Sequence, residues 1–380
     1  MTPAKDHRFA NDVDVMQRAL HVARMGCGHV EPNPMVGAVV VDDQNRFVAE
    51  GYHTKFGMPH AEVEAISAAG SQTAGAVLFV TLEPCSHQGK TPPCADAVIN
   101  AGFRRVVIGC QDPAPHVAGA GIARLKAAGI EVDVGVCQTD AEALIAPFKK
   151  LMLTGRPWVH AKWAMTLDGK IASRTGHSKW ITCDESRAAV HQLRGRMDVI
   201  VTGAGTVRAD DPQLTVRPPG PRSPLRVVVD EDGTSVQTDS NLVNTISDAP
   251  LMVCVSKRYA ATDHIKGLQQ SGVEILLFDS NERAERLSQL LDELGRRKLT
   301  NALVESGGGL MGAFFDAGLV DEVHAFVAPK IVGGAEALSP VGGTGQETIP
   351  NLDSLQSTSV TRYGNDLLIE GRVMNSSTQR

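Results

Sequence analysis

Residues 76–102 read AVLFVTLEPCSHQGKTPPCADAVINAG, and this stretch decides the fold of the first half of the chain. Its opening run, residues 76–80, is short and apolar, as buried strands are. A helix is predicted to begin at Pro93-Cys94, because proline suits the first helical turn, and to end before Gly102. A strand, a loop and a helix in this order predict an α/β fold. In such folds the carboxyl ends of strands and the amino ends of helices share one edge, where Cys85 and Cys94 would meet.

The neighbouring segments repeat this alternation. Residues 36–41 and 106–108 have the same apolar, β-branched character and are predicted to be buried strands. A helix is predicted from Pro59-His60 to Ala69, with Gly70 as its stop signal. His60 would then lie at the start of a helix, at the sheet edge that carries the two cysteines.

His60, Cys85 and Cys94 are the side chains expected to bind one zinc ion. An imidazole and two thiolates make three protein ligands, which leaves the fourth tetrahedral position for water. Zinc lowers the pKa of such a water to near neutrality. Glu62 follows the histidine by two residues and is the predicted catalytic group, taking a proton from the water and passing it to a leaving amine. The pattern H-x-E followed by P-C and a second cysteine is typical of zinc deaminases that act on nucleobases.

Two alternatives remain open for these residues. A purely structural zinc normally has four protein ligands, and His87 could supply the fourth. The cysteines, nine positions apart, could also be unrelated to any metal. The remaining five cysteines have no motif spacing, and an odd total of seven argues against a disulfide framework.

Length and composition limit what the chain can be in its domain organisation, partners and location. The chain has 380 residues, enough for two domains, and the β/α alternation restarts after the turn near Thr154-Gly155-Arg156-Pro157, so domains are predicted over 1–153 and 154–380. A net charge of −6 shows no basic footprint, so no nucleic-acid partner is expected. No apolar run is long enough to span a membrane, and residues 1–6 lack the apolar core of a signal peptide, which favours the cytoplasm. Homo-oligomerisation is expected only from its general prevalence.

Glycine-rich loops mark the second half. A predicted strand over 198–201 enters Thr202-Gly203-Ala204-Gly205-Thr206, and another over 302–305 enters a loop that begins at Ser306. In that second loop Gly307, Gly309 and Gly312 match G-x-G-x-x-G, in which glycines let a backbone approach a pyrophosphate. The pattern alone is weak, since the usual acidic ribose partner is not evident. The alternative is a turn whose glycines serve only helix packing.

Two sets of motifs resemble the bifunctional deaminase/reductase family of riboflavin biosynthesis. In the first half these are residues 81–87, TLEPCSH, leading into Thr91-Pro92-Pro93-Cys94, so that eight residues separate Cys85 from Cys94. In the second half they are residues 162–170, 178–182, 193–194, 205–212, 214–217 and 305–308. The resemblance runs from Asn33-Pro34 to the second glycine loop and so covers most of the chain.

The resemblance implies a fold and two reactions. The fold would be a cytidine-deaminase-like three-layer α/β domain followed by a dihydrofolate-reductase-like domain. The first would use Zn²⁺ to deaminate 2,5-diamino-6-(5-phosphoribosylamino)pyrimidin-4(3H)-one. The second would use NADPH to reduce the ribosyl group of 5-amino-6-(5-phosphoribosylamino)uracil to ribityl. The expected partner is therefore a small pyrimidine phosphoriboside.

The resemblance also implies roles for particular residues. Those expected to border NADPH are Ala164, Trp180, Thr206, Asp210, Gly307, Gly308, Gly309, Leu310, Met311, Gly312 and Ala313. Those expected to contact substrate are Asn33, His87, Lys90, Asp112, Lys162, Ser178, Arg194, Leu214, Arg217 and Glu305. Simpler readings stay open for some of them: Arg194 and Arg217 as solvated surface charges, Asp210 as a turn residue, and Trp180 as a core aromatic.

Two other functions are compatible with parts of the sequence. One is a nucleic-acid-editing deaminase with an RNA-binding second half, against which the acidic balance and the absence of a basic aromatic cluster count. The other is a non-catalytic binding protein in which zinc only stabilises the fold. Replacing Glu62 with Gln would separate an enzyme from such a protein.

Overall fold

The computed structural model describes residues 2–4, 7–86, 92–114, 118–350 and 354–374. The chain divides into two compact units, Met1–Gly155 and Arg156–Arg380. Among the described residues no helix has both the length and the apolar character needed to cross a membrane.

The first unit is built on one mixed sheet with strand order β2-β1-β3-β4-β5. Strands β3, β4 and β5 are parallel, whereas β1 runs antiparallel to both β2 and β3. Its strands and helices, in chain order, are α1 (Asp12–Ala23), β1 (Gly37–Val41), β2 (Phe47–Tyr52), α2 (Ala61–Ala69), β3 (Val77–Leu82), α3 (Cys94–Asn100), β4 (Arg105–Cys110), α4 (Ala120–Ala127), β5 (Glu131–Val134), α5 (Gln138–Leu144) and α6 (Ala146–Thr154).

Two glycines show that helices pack on both faces of this sheet. A side chain at Gly37 would meet the carbonyl oxygen of Ala19 in α1 at 2.1 Å. A side chain at Gly51, which pairs with Ala38, would meet the amide nitrogen of Ala65 in α2 at 2.4 Å. Successive residues of a strand face opposite sides, so Gly37 and Gly51 lie on opposite faces. The unit is therefore a three-layer α/β/α sandwich, as expected, and both helices approach too closely for any larger side chain.

The predicted elements of the first unit are confirmed, with shifts of one or two residues. Strands β1, β3 and β4 and helices α2 and α3 all occur where the sequence pattern indicates them. His60 caps α2 and Cys94 opens α3, so both ligands lie at helix starts. The turn predicted near the end of this unit follows α6, where Gly155 has the left-handed conformation.

The second unit contains a longer sheet with order β10-β9-β8-β7-β11-β6-β12-β14-β13. The ladder is parallel from β10 to β12, and β14 and β13 complete it in antiparallel pairing. Its elements are β6 (Trp158–Thr166), α7 (Asp184–Arg194), β7 (Val199–Gly203), α8 (Ala204–Asp210), β8 (Leu225–Val229), α9 (Asn241–Asn244), β9 (Leu251–Ser256), α10 (Asp263–Gln270), β10 (Glu274–Phe278), α11 (Arg283–Arg296), β11 (Asn301–Glu305), α12 (Gly308–Asp316), β12 (Glu322–Ala328), β13 (Leu355–Tyr363) and β14 (Asp366–Val373).

Both glycine-rich segments lie at the carboxyl ends of central strands of this sheet. The loop predicted over 202–206 is absent, because Gly203 ends β7 and Ala204 begins α8 directly, whereas Ser306 and Gly307 form a short loop between β11 and α12. Because β7 and β11 are adjacent and parallel, the two segments meet at one edge. Ser306 Oγ accepts a hydrogen bond from the amide of Gly203 at 3.1 Å, which ties the two segments together.

Candidate active sites

His60, Cys85 and Cys94 converge as expected for metal ligands. The His60 Nδ1 atom lies 3.2 Å from the sulfur of Cys94 and 3.7 Å from that of Cys85. All three donor atoms lie within 4.8 Å of one another. The backbone amide of Cys94 donates a hydrogen bond to the Cys85 sulfur at 3.3 Å. An imidazole and two sulfurs at this spacing fit a zinc ion with one open position.

The electrostatics of this trio favour a thiolate at Cys85. The hydrogen bond from Cys94 lowers the pKa of Cys85 to about 4. Burial opposes this shift, and the ring of His60 adds to it. The same hydrogen bond raises the pKa of Cys94, which holds the proton that the two sulfurs share. Contact with Cys85 raises the pKa of His60. Binding of a divalent cation would displace these protons, because thiolate and neutral imidazole are the ligating forms.

Glu62 lies in the first turn of α2, one residue beyond the start of the helix, and is only 3 % exposed. Burial raises its pKa to about 7, against the opposing field of His60. A carboxyl group whose pKa is near neutrality can accept and return a proton, which is the property expected of a proton shuttle.

Asn33 contacts a residue that the sequence reasoning missed. Its side-chain nitrogen lies 3.1 Å from Nε2 of His53, and Nδ1 of His53 lies 3.0 Å from the carbonyl oxygen of Pro59. That carbonyl can only accept, so His53 carries its proton on Nδ1 and accepts at Nε2 from Asn33. Burial lowers the pKa of His53, which keeps the ring neutral. The amide oxygen of Asn33 is left as the hydrogen-bonding group for a ligand, and the ring of His53 lies 5.2 Å from that of His60.

Glu83, also missed, organises the loop that carries Asp112. Its carboxylate accepts hydrogen bonds from the backbone amides of Asp112 at 3.2 Å, Gly119 at 3.0 Å, Gly121 at 2.9 Å and Ile122 at 3.2 Å. Asp112 in turn accepts from the amide of Ala114 at 2.8 Å. The signal was present in the sequence, since an acidic residue stands two positions before a ligand cysteine. His87 and Lys90 lie outside the described residues.

The second unit contains a cleft of about 1190 Å³ at the edge where the glycine-rich segments meet. Many of the predicted residues line it: Lys162, Ala164, Ser178, Thr206, Asp210, Glu305, Gly307, Gly308, Gly309 and Leu310. Asp210 lies 3.4 Å from Lys179. The cleft is large enough for a dinucleotide-sized ligand, since ligand pockets run to about 1,000 Å³.

The glycines within residues 307–312, the segment that contains the G-x-G-x-x-G pattern, divide into two groups. A side chain at Gly308 would meet the carbonyl oxygen of Ser339 at 2.5 Å, and one at Gly312 would meet Gly342 at 2.2 Å. These two glycines allow α12 to pack against residues 339–343. In contrast, Arg283 at 4.0 Å is the only neighbour among the described residues that a side chain at Gly309 would reach, and Gly309 is exposed. Within this motif, therefore, some glycines allow close helix packing, and Gly309 leaves the backbone open to the cleft.

Lys162, Glu305 and Arg194 form a buried ionic cluster at the base of the cleft. Lys162 donates to Glu305 Oε1 at 2.8 Å, and Arg194 makes two hydrogen bonds to the same carboxylate at 2.8 and 2.9 Å. Burial alone would raise the pKa of Glu305, but the two cations hold it well below its ordinary value. Arg194 is thus not a solvated surface charge.

Several predicted residues do not line the cleft. Met311 and Leu214 are buried in hydrophobic clusters, Gly312 packs against Gly342, and Ala313 packs against the same core as Met311. Trp180 is 65 % exposed beneath the guanidinium of Arg187, so it is not a core aromatic. Arg217 is exposed and bonded to Gln213.

A row of arginines on the cleft wall was not predicted: Arg208, Arg258, Arg283 and Arg286. Arg258 and Arg286 pair with Glu231. Within the described part of the chain Arg283 makes no ion pair, and it stands beside Gly309 at the start of α12. Arg208 lies within the family motif over 205–212, whereas no motif marks Arg258, Arg283 and Arg286, which come from other segments of the chain.

Two family profiles match the chain. The one described as the cytidine and deoxycytidylate deaminase zinc-binding region matches residues 10–110, and the one described as the RibD C-terminal domain matches residues 157–369.

Similar proteins match nearly the whole length. The riboflavin biosynthesis protein RibD of Actinobacillus pleuropneumoniae is 38% identical over 97% of both chains. That of Aquifex aeolicus is 40% identical, covering 94% of this chain and 97% of its own.

Among solved structures, Acinetobacter baumannii RibD aligns with a TM-score of 0.82 at 36% identity, covering 96% of this chain and 99% of its own. A diaminohydroxyphosphoribosylaminopyrimidine deaminase/5-amino-6-(5-phosphoribosylamino)uracil reductase from Thermotoga maritima aligns with a TM-score of 0.82 at 37% identity, covering 95% and 98%.

Proposed function

The chain belongs to the RibD family of bifunctional riboflavin-biosynthesis deaminase/reductases, and we propose that residues 1–153 carry the deaminase and residues 154–380 the reductase. The deaminase acts on 2,5-diamino-6-(5-phosphoribosylamino)pyrimidin-4(3H)-one. The reductase converts the ribosyl group of 5-amino-6-(5-phosphoribosylamino)uracil to ribityl. Family membership does not favour a nucleic-acid-editing enzyme or a non-catalytic binding protein.

One observation carries the deaminase proposal: the convergence of His60 Nδ1 and the sulfurs of Cys85 and Cys94 within 4.8 Å, with Glu62 buried two residues from the histidine. These three side chains would hold Zn²⁺, which would supply the Lewis acidity needed to lower the pKa of a water molecule.

Glu62 moves the protons of the deamination. Its carboxylate accepts a proton as the water adds to the ring, and the resulting carboxylic acid donates that proton to the departing amine, which leaves as ammonia. The pKa of about 7 that burial gives Glu62 supports both roles at neutral pH. Asn33, held by His53, presents its amide oxygen to the ring edge. Glu83 fixes the backbone at Asp112. The family resemblance assigns substrate contacts to His87 and Lys90, which lie outside the described residues.

The reductase binds NADPH along its glycine-rich segments. Gly307 and Gly309 leave room for the phosphates at the start of α12, and Arg283 supplies a cation beside them. NADPH supplies the hydride. Ala164, Thr206 and Asp210 border the cofactor. The ammonium group of Lys162 is the proton donor near the ribosyl group. Glu305 accepts hydrogen bonds from both Lys162 and Arg194 and so keeps that ammonium group oriented.

The remaining predicted contacts divide by their position relative to the cleft. Ser178 contacts substrate within the cleft. Leu214, Arg217, Trp180, Met311, Gly312 and Ala313 lie outside the cleft lining, so we assign them no direct contact with substrate or cofactor. The protein works on a small molecule, binds no nucleic acid, acts in the cytoplasm and assembles as a homo-oligomer.

The test is a paired assay on the purified full chain with the diaminopyrimidinone phosphoriboside. Ammonia release and NADPH oxidation are followed together, and bound metal is measured in the same sample. We expect ammonia first and NADPH oxidation only after it. Full ammonia release after exhaustive chelation would overturn the zinc assignment. Oxidation of NADPH that does not depend on the substrate would overturn the assignment of the reductase.

A further inference from the structure

A second group of metal-binding side chains lies in the reductase unit, apart from its cleft. His160, Glu322 and His324 place one ligand atom each within 4.8 Å of the others. His160 lies near the start of β6, whereas the cleft residues Lys162 and Ala164 lie further along that strand. His160 pairs with Glu322, and His324 pairs with Glu370 of β14. Paired residues of neighbouring strands face the same side of a sheet, so the topology brings these side chains together.

The distances within this group are those of ligands around one ion. His160 Nδ1 lies 3.1 Å from His324 Nε2. Glu322 oxygens lie 3.9 Å from the first nitrogen and 3.6 Å from the second. Two nitrogens 3.1 Å apart, each about 2.1 Å from a metal, subtend an angle of about 95° there, close to that between adjacent ligands of an octahedron. A small rotation of the Glu322 side chain, which is partly exposed, completes the third contact.

The outer nitrogens of both rings already face acceptors. His160 Nε2 lies 3.2 Å from Oδ1 of Asn301, and His324 Nδ1 lies 2.8 Å from a carboxylate oxygen of Glu370. Each of these nitrogens therefore carries the ring proton. In the neutral rings the inner nitrogens, His160 Nδ1 and His324 Nε2, then both present lone pairs to each other. Two lone pairs at 3.1 Å repel unless a cation lies between them.

We propose that His160, His324 and Glu322 bind a divalent first-row transition-metal ion. Two imidazoles and one carboxylate without a thiolate suit such ions. The outer contacts are those that metal-ligating histidines commonly have, with Glu370 completing a carboxylate–histidine–metal arrangement. The indole of Trp158 donates to Glu322 at 3.0 Å and orients that carboxylate. The ion enters past Glu322 and Glu370, whose side chains are 24 and 34% exposed, while both histidines are buried.

The bound ion has a structural role in this unit. It joins β6 to β12 and, through Glu370, to β14, which belongs to the antiparallel end of the sheet. Lys162 lies two residues beyond His160 on the same face of β6, about 7 Å along the strand. The ion therefore also holds the segment from which the Lys162 ammonium reaches Glu305.

The experiment titrates the full chain with Co²⁺. A Cys85→Ser/Cys94→Ser variant removes the first metal site, so that binding reports the second alone. All three tryptophans, Trp158, Trp163 and Trp180, belong to the reductase unit, and Trp158 hydrogen-bonds a proposed ligand. We expect saturable quenching of tryptophan fluorescence at one Co²⁺ per chain, without the intense thiolate-to-cobalt absorption of the first site. Wild-type protein with zinc already bound at its first site should take up the same single equivalent.

Variants distinguish ligands from general structural effects. Glu322→Gln should abolish the saturable signal, and Glu370→Gln should weaken Co²⁺ binding about tenfold to a hundredfold, the usual effect of losing a partner of a ligating histidine. Glu336→Gln, an exposed carboxylate in the same unit, is the matched control and should bind like the parent. Absence of stoichiometric binding in both the wild type and the double variant would overturn the proposal, as would binding that Glu322→Gln leaves unchanged. The histidine pair would then share a proton instead.

Discussion

Arg194 and Glu305 form a two-point ion pair, with nitrogen–oxygen distances of 2.8 and 2.9 Å, between the last residue of α7 and the last residue of β11. Lys162 shares this buried carboxylate. Replacing Arg194 with Met should destabilise the reductase unit by about 1.5–3 kcal/mol, because it removes charge-assisted hydrogen bonds to a buried carboxylate that Lys162 alone then neutralises. Urea unfolding followed by tryptophan fluorescence measures this unit selectively. Arg296→Met, an exposed arginine of α11, should leave the transition unchanged, and equal transitions for both variants would contradict the expectation.

The same carboxylate predicts a pH dependence. The cations lower the pKa of Glu305 below its ordinary value of 4.5. The folded state therefore gains stability from ionised Glu305 above pH 4.5 and loses it as the pH falls from 4.5 towards the lower pKa of the folded protein. Unfolding free energies measured between pH 6 and 3 should show this loss, and Glu305→Gln should flatten it. A wild-type profile as flat as that of the variant would show that the pair does not act this way.

Glu62→Gln should lower the rate of deamination by about 10²–10⁴-fold, the usual contribution of a positioned acid–base group. The amide keeps the size and burial of the side chain but cannot shuttle protons. Zinc content and NADPH oxidation with the deaminated substrate should stay at the wild-type level. Glu64→Gln, on the same helix but only partly buried, is the control. Full deamination by Glu62→Gln would exclude the shuttle role.

Gly309 and Gly312 should respond in opposite ways. Gly309→Val adds a branched side chain on the open side of the cleft, where Arg283 is a neighbour at 4.0 Å, so it should block NADPH binding and leave ammonia release intact. Gly312→Ala places a methyl group 2.2 Å from Gly342 and should destabilise the reductase unit before it affects cofactor affinity. NADPH titration by tryptophan quenching and urea unfolding separate the two effects. A destabilised Gly309→Val with normal NADPH affinity would show that the motif serves packing alone.

Arg283→Gln should raise the KM for NADPH about tenfold, equivalent to about 1.4 kcal/mol of binding free energy. The variant lacks the guanidinium that would bind a phosphate beside the glycine loop. The kcat should change little, since the arginine does not touch the reacting atoms in this assignment. Arg296→Gln, on the same helix, should leave the KM unchanged. Comparing NADH with NADPH then tells which phosphate is held: a loss confined to NADPH assigns Arg283 to the additional phosphate, and an equal loss assigns it to the pyrophosphate. An unaltered KM for both cofactors would remove Arg283 from the site.

The local pattern of the sequence determined the parts of the fold and the candidate sites that depend on short-range chemistry. Apolar runs predicted strands β1, β3 and β4, and proline and glycine marked the limits of the helices. The spacing of His60, Glu62, Cys85 and Cys94 by itself indicated a zinc deaminase. These signals are readable because a strand alternates or stays apolar, a helix starts and stops at particular residues, and a metal needs particular donors.

Contacts between distant segments were decided only by the tertiary structure. Nothing near His53 in the sequence indicates that it holds Asn33, and Arg283 reaches Gly309 only because α11 and α12 pack together. The glycine pattern could not show that Gly309 faces the cleft while Gly312 contacts Gly342, because both satisfy the same motif. The pairing of His160 with His324 spans 164 positions. Side chains so far apart meet through sheet register and helix packing, which depend on the whole fold rather than on neighbouring residues.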